Sequence, residues 1–198
     1  MTIWTCKGPL AAVGVMLLTA CEGGQGLGAS SGAAKPPVSR AKMAGGVELV
    51  APDGFCIDQT SLEARFAVIA RCDGLGAPAS AGAAPRGLIT VSLTQSKPGS
   101  LPSAQQIAAE TSLQNVSDVE KGDQSVTFRA QGRIPVGGLS PNQWRGVARM
   151  GTQTAGIAVY GPERGEIVSA SGRRVLTQLI TRSIDASAPA KTTVAQRN

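Results

Sequence analysis

Between Leu10 and Leu18 the chain carries an uncharged, mostly apolar run, with Lys7 ahead of it and Cys21 close behind. The run is too short to cross a bilayer, which needs about 20 apolar residues, but it has the length and flanks of a secretory signal peptide. Glycine and polar residues follow directly, so no second apolar stretch extends it. This divides the chain. Whatever folds must lie downstream of the leader and fold after export, in an oxidising compartment. Cys6 falls inside the leader and is expected to be lost with it.

The apolar run ends in Leu18-Thr19-Ala20-Cys21. This resembles the lipobox of bacterial lipoproteins, in which a branched apolar residue and two small residues precede an obligatory cysteine. The resemblance implies cleavage between Ala20 and Cys21, a diacylglycerol thioether on Cys21, and N-acylation with a chain such as palmitate. Two or three acyl chains, at about 0.8 kcal/mol per buried CH₂, hold a protein durably where one chain does not. The implied partner is therefore membrane lipid, through acylated Cys21, in the bacterial cell envelope. Glu22 follows the cysteine in place of the aspartate associated with inner-membrane retention. That favours the outer membrane, facing the periplasm.

From Glu22 to Gly46 the residues are dominated by Gly, Ser, Ala and Pro, with no apolar period. Such a composition predicts a flexible linker, and about 25 residues of it would span roughly 25–30 Å root-mean-square. The expected organisation is a signal peptide over 1–20, a lipidated N-terminus and linker over 21–46, a globular domain over 47–185, and a disordered polar tail over 186–198.

Only 3% of the chain's residues are aromatic, so Val, Ile, Leu and Ala must fill the domain's core. Most segments read as strands. Val47–Val50 alternates and stops at the turn signal Pro52-Asp53-Gly54; Arg65–Cys72 is nearly continuously apolar; Gly87–Gln95 alternates. Pro102 and Ser103 then open a predicted helix over Ala104–Leu113, with Ile107, Ala104, Ala108 and Thr111 inward. Strands resume over Val116–Glu120 and Ser125–Ala130, around the hairpin signal Lys121-Gly122-Asp123-Gln124. Two more, Gln143–Met150 and Ala155–Tyr160, flank Gly151-Thr152-Gln153-Thr154. Finally Val175, Leu176, Leu179, Ile180 and Ile184 recur at helical spacing in Ser171–Ile184, with Arg173, Arg174, Gln178 and Arg182 on the wet side and Ser169 or Ser171 as N-cap.

The order β-β-β-α-β-β-β-β-α with tight turns predicts an α+β fold, a single antiparallel sheet covered by helices. With Val50-Ala51-Pro52-Asp53-Gly54-Phe55 after the first strand and an amphipathic C-terminal helix, it resembles the PsbP-like architecture over about residues 46–185. The loop from Asp73 to Arg86 departs from that pattern in length. No functional residue is carried over by the resemblance.

Two cysteines remain in the domain, Cys56 and Cys72. In an oxidising compartment they are expected to pair as a structural disulfide. Closing a loop of about 17 residues contributes on the order of 3 kcal/mol. A redox role would place the pair closer together at a helix start, as in Cys-x-x-Cys. A metal site has no histidine to complete it, because the chain has none.

The absence of histidine also removes the commonest general base and partner of a nucleophile. Asp53, Asp58, Glu63 and Asp73 match no calcium-loop spacing, and turn roles account for Asp53 and Asp73. Gly137-Gly138-Leu139-Ser140-Pro141 lacks the Gly-Lys-Ser/Thr ending of a phosphate loop and reads as a turn. Trp144 and Tyr160 read as packing residues. The charge of +6 is 19 Lys and Arg against 13 Asp and Glu, and the arginines Arg65, Arg71, Arg86, Arg129, Arg133, Arg145, Arg149 and Arg164 are scattered singly, with one doublet at Arg173-Arg174. That pattern is a solvated surface, and no nucleic-acid partner is expected. No catalytic residue, metal or cofactor is assigned. The expectation is a membrane-anchored, non-enzymatic envelope lipoprotein whose domain is a binding or accessory module, with an envelope protein as partner. The alternatives are a histidine-independent envelope hydrolase and a structural spacer.

Overall fold

The computed structural model describes residues 35–78 and 84–188. The leader, Ala20, Cys21 and most of the expected linker and tail lie outside these residues. Among the described residues no helix is long and apolar enough to cross a membrane.

The domain is α+β. Strands β1 (Arg40–Lys42) and β2 (Glu48–Val50) form a small antiparallel ribbon. Seven more form one antiparallel sheet: β3 (Phe55–Ile57), β4 (Phe66–Arg71), β5 (Leu88–Gln95), β6 (Gln114–Lys121), β7 (Ser125–Gln131), β8 (Asn142–Met150) and β9 (Gln153–Tyr160). Their spatial order is β3-β4-β5-β9-β8-β7-β6. Helix α1 (Ala104–Glu110) joins β5 to β6, and α2 (Ala170–Ser187) closes the domain.

Period-2 alternation decides which face each strand buries. Ile89, Val91 and Leu93 of β5, Ala155, Ile157 and Val159 of β9, and Trp144, Ala148 and Met150 of β8 point to one side. There they meet Leu176, Leu179 and Ile180 of α2, Leu49 of the ribbon and Val47 just before β2 in one core. Val175 and Ile184 pack at its margin. Gly172 lets the first turn of α2 close on this core: a Cβ there would lie 1.7 Å from the Ile167 carbonyl oxygen and 2.6 Å from Trp144 Cδ1. The Trp144 indole donates to the Ser169 carbonyl at 2.7 Å. Ser169 occupies the N-cap position of α2 but makes no side-chain cap; its hydroxyl donates to the Glu166 carbonyl.

On the opposite face α1 covers only the β6–β7 side. Ala104, Ala108 and Leu113 pack on Val126, Phe128 and Ala130, with Ile107 half-buried and Thr111 exposed. Ser103 and Gln106 make a reciprocal capping box, Ser103 Oγ accepting from Gln106 N–H and Gln106 Oε1 from Ser103 N–H. Both expected hairpins form. At β8–β9 the turn tightens to Gly151-Thr152, with Met150 opposite Gln153, and only Gly151 takes positive φ, at +55°, as a type II′ turn requires.

Three expectations are corrected. The stretch 21–46 is not linker to its end. Val38 bridges Ile57, β1 pairs with β2, and Ala41 and Met43 are buried. Apolar residues two apart in so short and polar a segment leave no readable period; it is ordered by what it packs against. The tail also begins later than residue 186, since α2 runs through Ser187, whose hydroxyl accepts from Glu48 N–H. Finally, Phe55–Ile57, outside every strand expected from the sequence, is the edge strand β3. The other edge, β6, meets β7 at Gln114, Ser117, Glu120 and Lys121, and its register shifts between Gln114 and Ser117 and again before Glu120, where Asn115 and Asp118 sit in left-handed conformation and bulge the strand.

Candidate functional site

Cys56 and Cys72 are joined by a disulfide, with their Cα atoms 4.8 Å apart. Cys56 sits opposite Ala70 in the β3–β4 pair, and Cys72 follows the end of β4. The bridge thus locks the short edge strand to its neighbour.

The four carboxylates named from the sequence do not converge. Asp53 receives Arg182 Nη1 at 2.8 Å and Nη2 at 2.9 Å, and Gln178 Nε2 at 2.6 Å. Hydrogen bonds from Arg182 and then Gln178 hold its pKa below the ordinary 3.8, against a small opposing effect of burial. Asp53 is therefore a clasp on α2 as well as a turn residue. Asp58 accepts from the Thr60 hydroxyl and N–H in a local turn; burial raises its pKa, and the donations from Thr60 and Ser61 outweigh that and lower it. Asp73 is lowered by its hydrogen bonds with Arg71. Among the described residues no three His, Cys, Asp or Glu side chains cluster as metal ligands would. The Gly137–Pro141 segment is the β7–β8 loop, anchored by Ser140 N–H donating to the Gly161 carbonyl at 2.7 Å.

Of the concavities among the described residues, two border the helices. The larger, about 1080 Å³, runs along the outer side of α2. Arg173, Arg174 and Arg182 line it, but so do Asp118, Glu120 and Glu166. Interleaved charges of both signs give no field that would favour a ligand of either sign.

The smaller cleft, about 370 Å³, lies where α1 ends and the second sheet face is left without a helix. Its geometry follows from cross-strand register. Thr90, Ala158 and Arg145 form one row across β5, β9 and β8, and Ser92, Gly156 and Val147 form the next. In these two rows the central strand contributes only Ala158 and Gly156, so they sag into a trough between the β5 hydroxyls and the larger β8 side chains. Ile107, Glu110 and Thr111 of α1 make the far wall.

Arg145 is the unusual member. Its guanidinium lies 5.5 Å from the Tyr160 ring centre, and its Nε is buried with no hydrogen-bond partner. No ion pair among the described residues involves it. Burial lowers its pKa from the arginine value, with Tyr160 acting in the opposite direction; the group remains a cation. Sequence reasoning counted Arg145 among the solvated arginines. The available signal was the β8 alternation, which sets Arg145 on the face away from Trp144, Gly146 and Ala148. That face reads as wet until α1 is placed over part of it.

No protein-family model matches the chain. No curated protein matches it. Among solved structures it is similar to the Ran-binding protein Mog1p of Saccharomyces cerevisiae, at 13% identity and a TM-score of 0.46, over 75% of this chain and 96% of that one. It is also similar to a point mutant of the protein Mog1, at 14% identity and a TM-score of 0.44, over 73% and 93% respectively.

Proposed function

We propose that this chain is an envelope lipoprotein, anchored through acylated Cys21 on the periplasmic side of the outer membrane, whose domain is a non-enzymatic binding or accessory module. The observation that carries the reading is Leu18-Thr19-Ala20-Cys21 placed directly after the Leu10–Leu18 run. The Cys56–Cys72 disulfide supports it, since such bonds persist in oxidising compartments. The domain is read as PsbP-like, on the order of its elements from Val47 onward and on the amphipathic C-terminal helix. A module role, rather than hydrolysis, is favoured by Asp53, Asp58 and Asp73 each being held by its own separate hydrogen-bond donors instead of facing a shared site.

Growth with labelled palmitate tests the anchor. Label is expected on the wild-type chain and lost in Cys21→Ala, which should then leave the membrane fraction. Equal labelling of the two would refute the assignment. Cross-linking of the lipidated protein in intact cells, with Cys21→Ala as control, is expected to capture an envelope protein only from the anchored form.

A further inference from the structure

We propose that the cleft beside the end of α1 is a binding site for a small monocarboxylate with an apolar body, whose carboxylate pairs with Arg145. The inference rests on the reading of the domain as a binding module, but not on its anchor.

An arginine charge withdrawn from water is costly unless an anion or hydrogen-bond acceptors compensate it. Arg145 has the Tyr160 ring beside it and a buried Nε with no protein acceptor. Its planar fork suits the two oxygens of a carboxylate. Thr90, in the same cross-strand row, and Ser92, in the next, bring hydroxyls to the opposite bank of the trough. They can donate to the same carboxylate or to a polar substituent. Ala158, Val147 and Ile107 offer apolar surface for the rest of the molecule.

The charge balance sets the class. Among the described residues Arg145 is the only cation lining the cleft, and Glu110 stands on its wall. A phosphate dianion would meet one positive and one negative group, whereas a monoanion is neutralised by Arg145 and can point its body away from Glu110. The cleft's size falls at the lower end of the range for small-ligand sites, roughly 300–1,000 Å³. Gly156 keeps the floor open: a Cβ there would meet nothing closer than the Ser92 carbonyl oxygen at 3.9 Å, so a larger side chain can enter the trough without displacing backbone.

The test uses the purified full chain in detergent, with sodium hexanoate as probe and hexanamide as its uncharged isostere. Amide resonances of Thr90, Gly156 and Ala158 are followed on titration. Hexanoate is expected to give saturable shifts confined to these strands, and hexanamide to bind about tenfold or more weakly, the scale of a charge-assisted hydrogen bond. Arg145→Gln should weaken hexanoate by about the same factor and remove the preference over the amide. Gly156→Leu should abolish binding of both while leaving Arg145 and the unfolding midpoint in place. It keeps the test decisive if Arg145→Gln fails to fold. Equal binding of acid and amide, unchanged hexanoate affinity in either variant, or no saturable shift at Gly156 and Ala158 would overturn the assignment. None of these outcomes bears on palmitate labelling or on partner capture, so the cleft and the anchor fail separately.

Discussion

Asp53 shows how a single exposed side chain acquires a structural task. Arg182 and Gln178 lie one turn apart on α2, and both reach the carboxylate that closes the turn after β2. The folded pKa is held below 3.8, so this stabilisation is present above the unfolded carboxylate value and lost as pH falls through the lowered one. The Asp53 side chain is 76% exposed, which limits the contribution to about 0.5–1 kcal/mol. Asp53→Asn is therefore expected to lower the urea midpoint near neutral pH by that modest amount. The deficit should shrink as the wild-type carboxylate protonates, and in about 1 M salt. A deficit of constant size from neutral to strongly acidic pH would show that charge is not the cause. Nothing in the one-dimensional pattern pairs Asp53 with residues 125 and 129 positions away. Arg145 was obscured in a different way, by alternation that looks like a solvent face.

At the level of elements, α2 does more than bury a stripe of Leu and Ile. The ribbon strand β2 pairs with β1 along one edge, and its other edge faces the helix. There Ser183 Oγ accepts from Val50 N–H at 3.0 Å, and Ser187 Oγ accepts from Glu48 N–H at 2.9 Å. Serines four apart on a helix thus meet amides two apart on a strand, and the helix substitutes for a missing strand partner. Ser183 is fully buried. Ser183→Ala should leave the Val50 amide unsatisfied in the core and cost about 1–3 kcal/mol. Ser187→Ala, at a half-buried site, should cost less. Urea unfolding of both variants checks the order, and equal small losses would show that the ribbon edge finds other acceptors. The Val175–Ile184 period made α2 legible, but it has no place for Ser183, a polar residue on the buried face. The long strands and both hairpins were legible because alternation and turn residues are local signals. Strands β1 and β3, three residues each, were not: β1 lies inside a stretch of linker composition, and β3 is buried at every residue and so shows no alternation.

At the scale of the whole molecule, the two faces of the sheet are covered unequally, and both the stability and the proposed site follow from that. One face is sealed by α2 and the ribbon, including the segment from Val38 to Gly46 whose composition reads as linker. Gly45 anchors this segment to the far end of the core: its carbonyl accepts from Thr152 N–H at 3.0 Å and from the Thr152 hydroxyl at 3.1 Å, on the β8–β9 turn. The other face is covered only where α1 lies, and the edge of that cover makes the Arg145 cleft. If residues 35–46 were a tether, changes there would move stability by no more than about 0.5 kcal/mol, as at ordinary surface positions. The buried thioether of Met43 instead predicts a loss of about 2 kcal/mol or more for Met43→Ala. Deleting 35–46 should cost more than that, because it also strips β2 of its paired strand and Ile57 of its bridge to Val38. Urea midpoints of the two variants against the full chain decide between tether and sealed face. A wild-type midpoint after the deletion would place the start of the folded domain at Val47, where composition alone puts it.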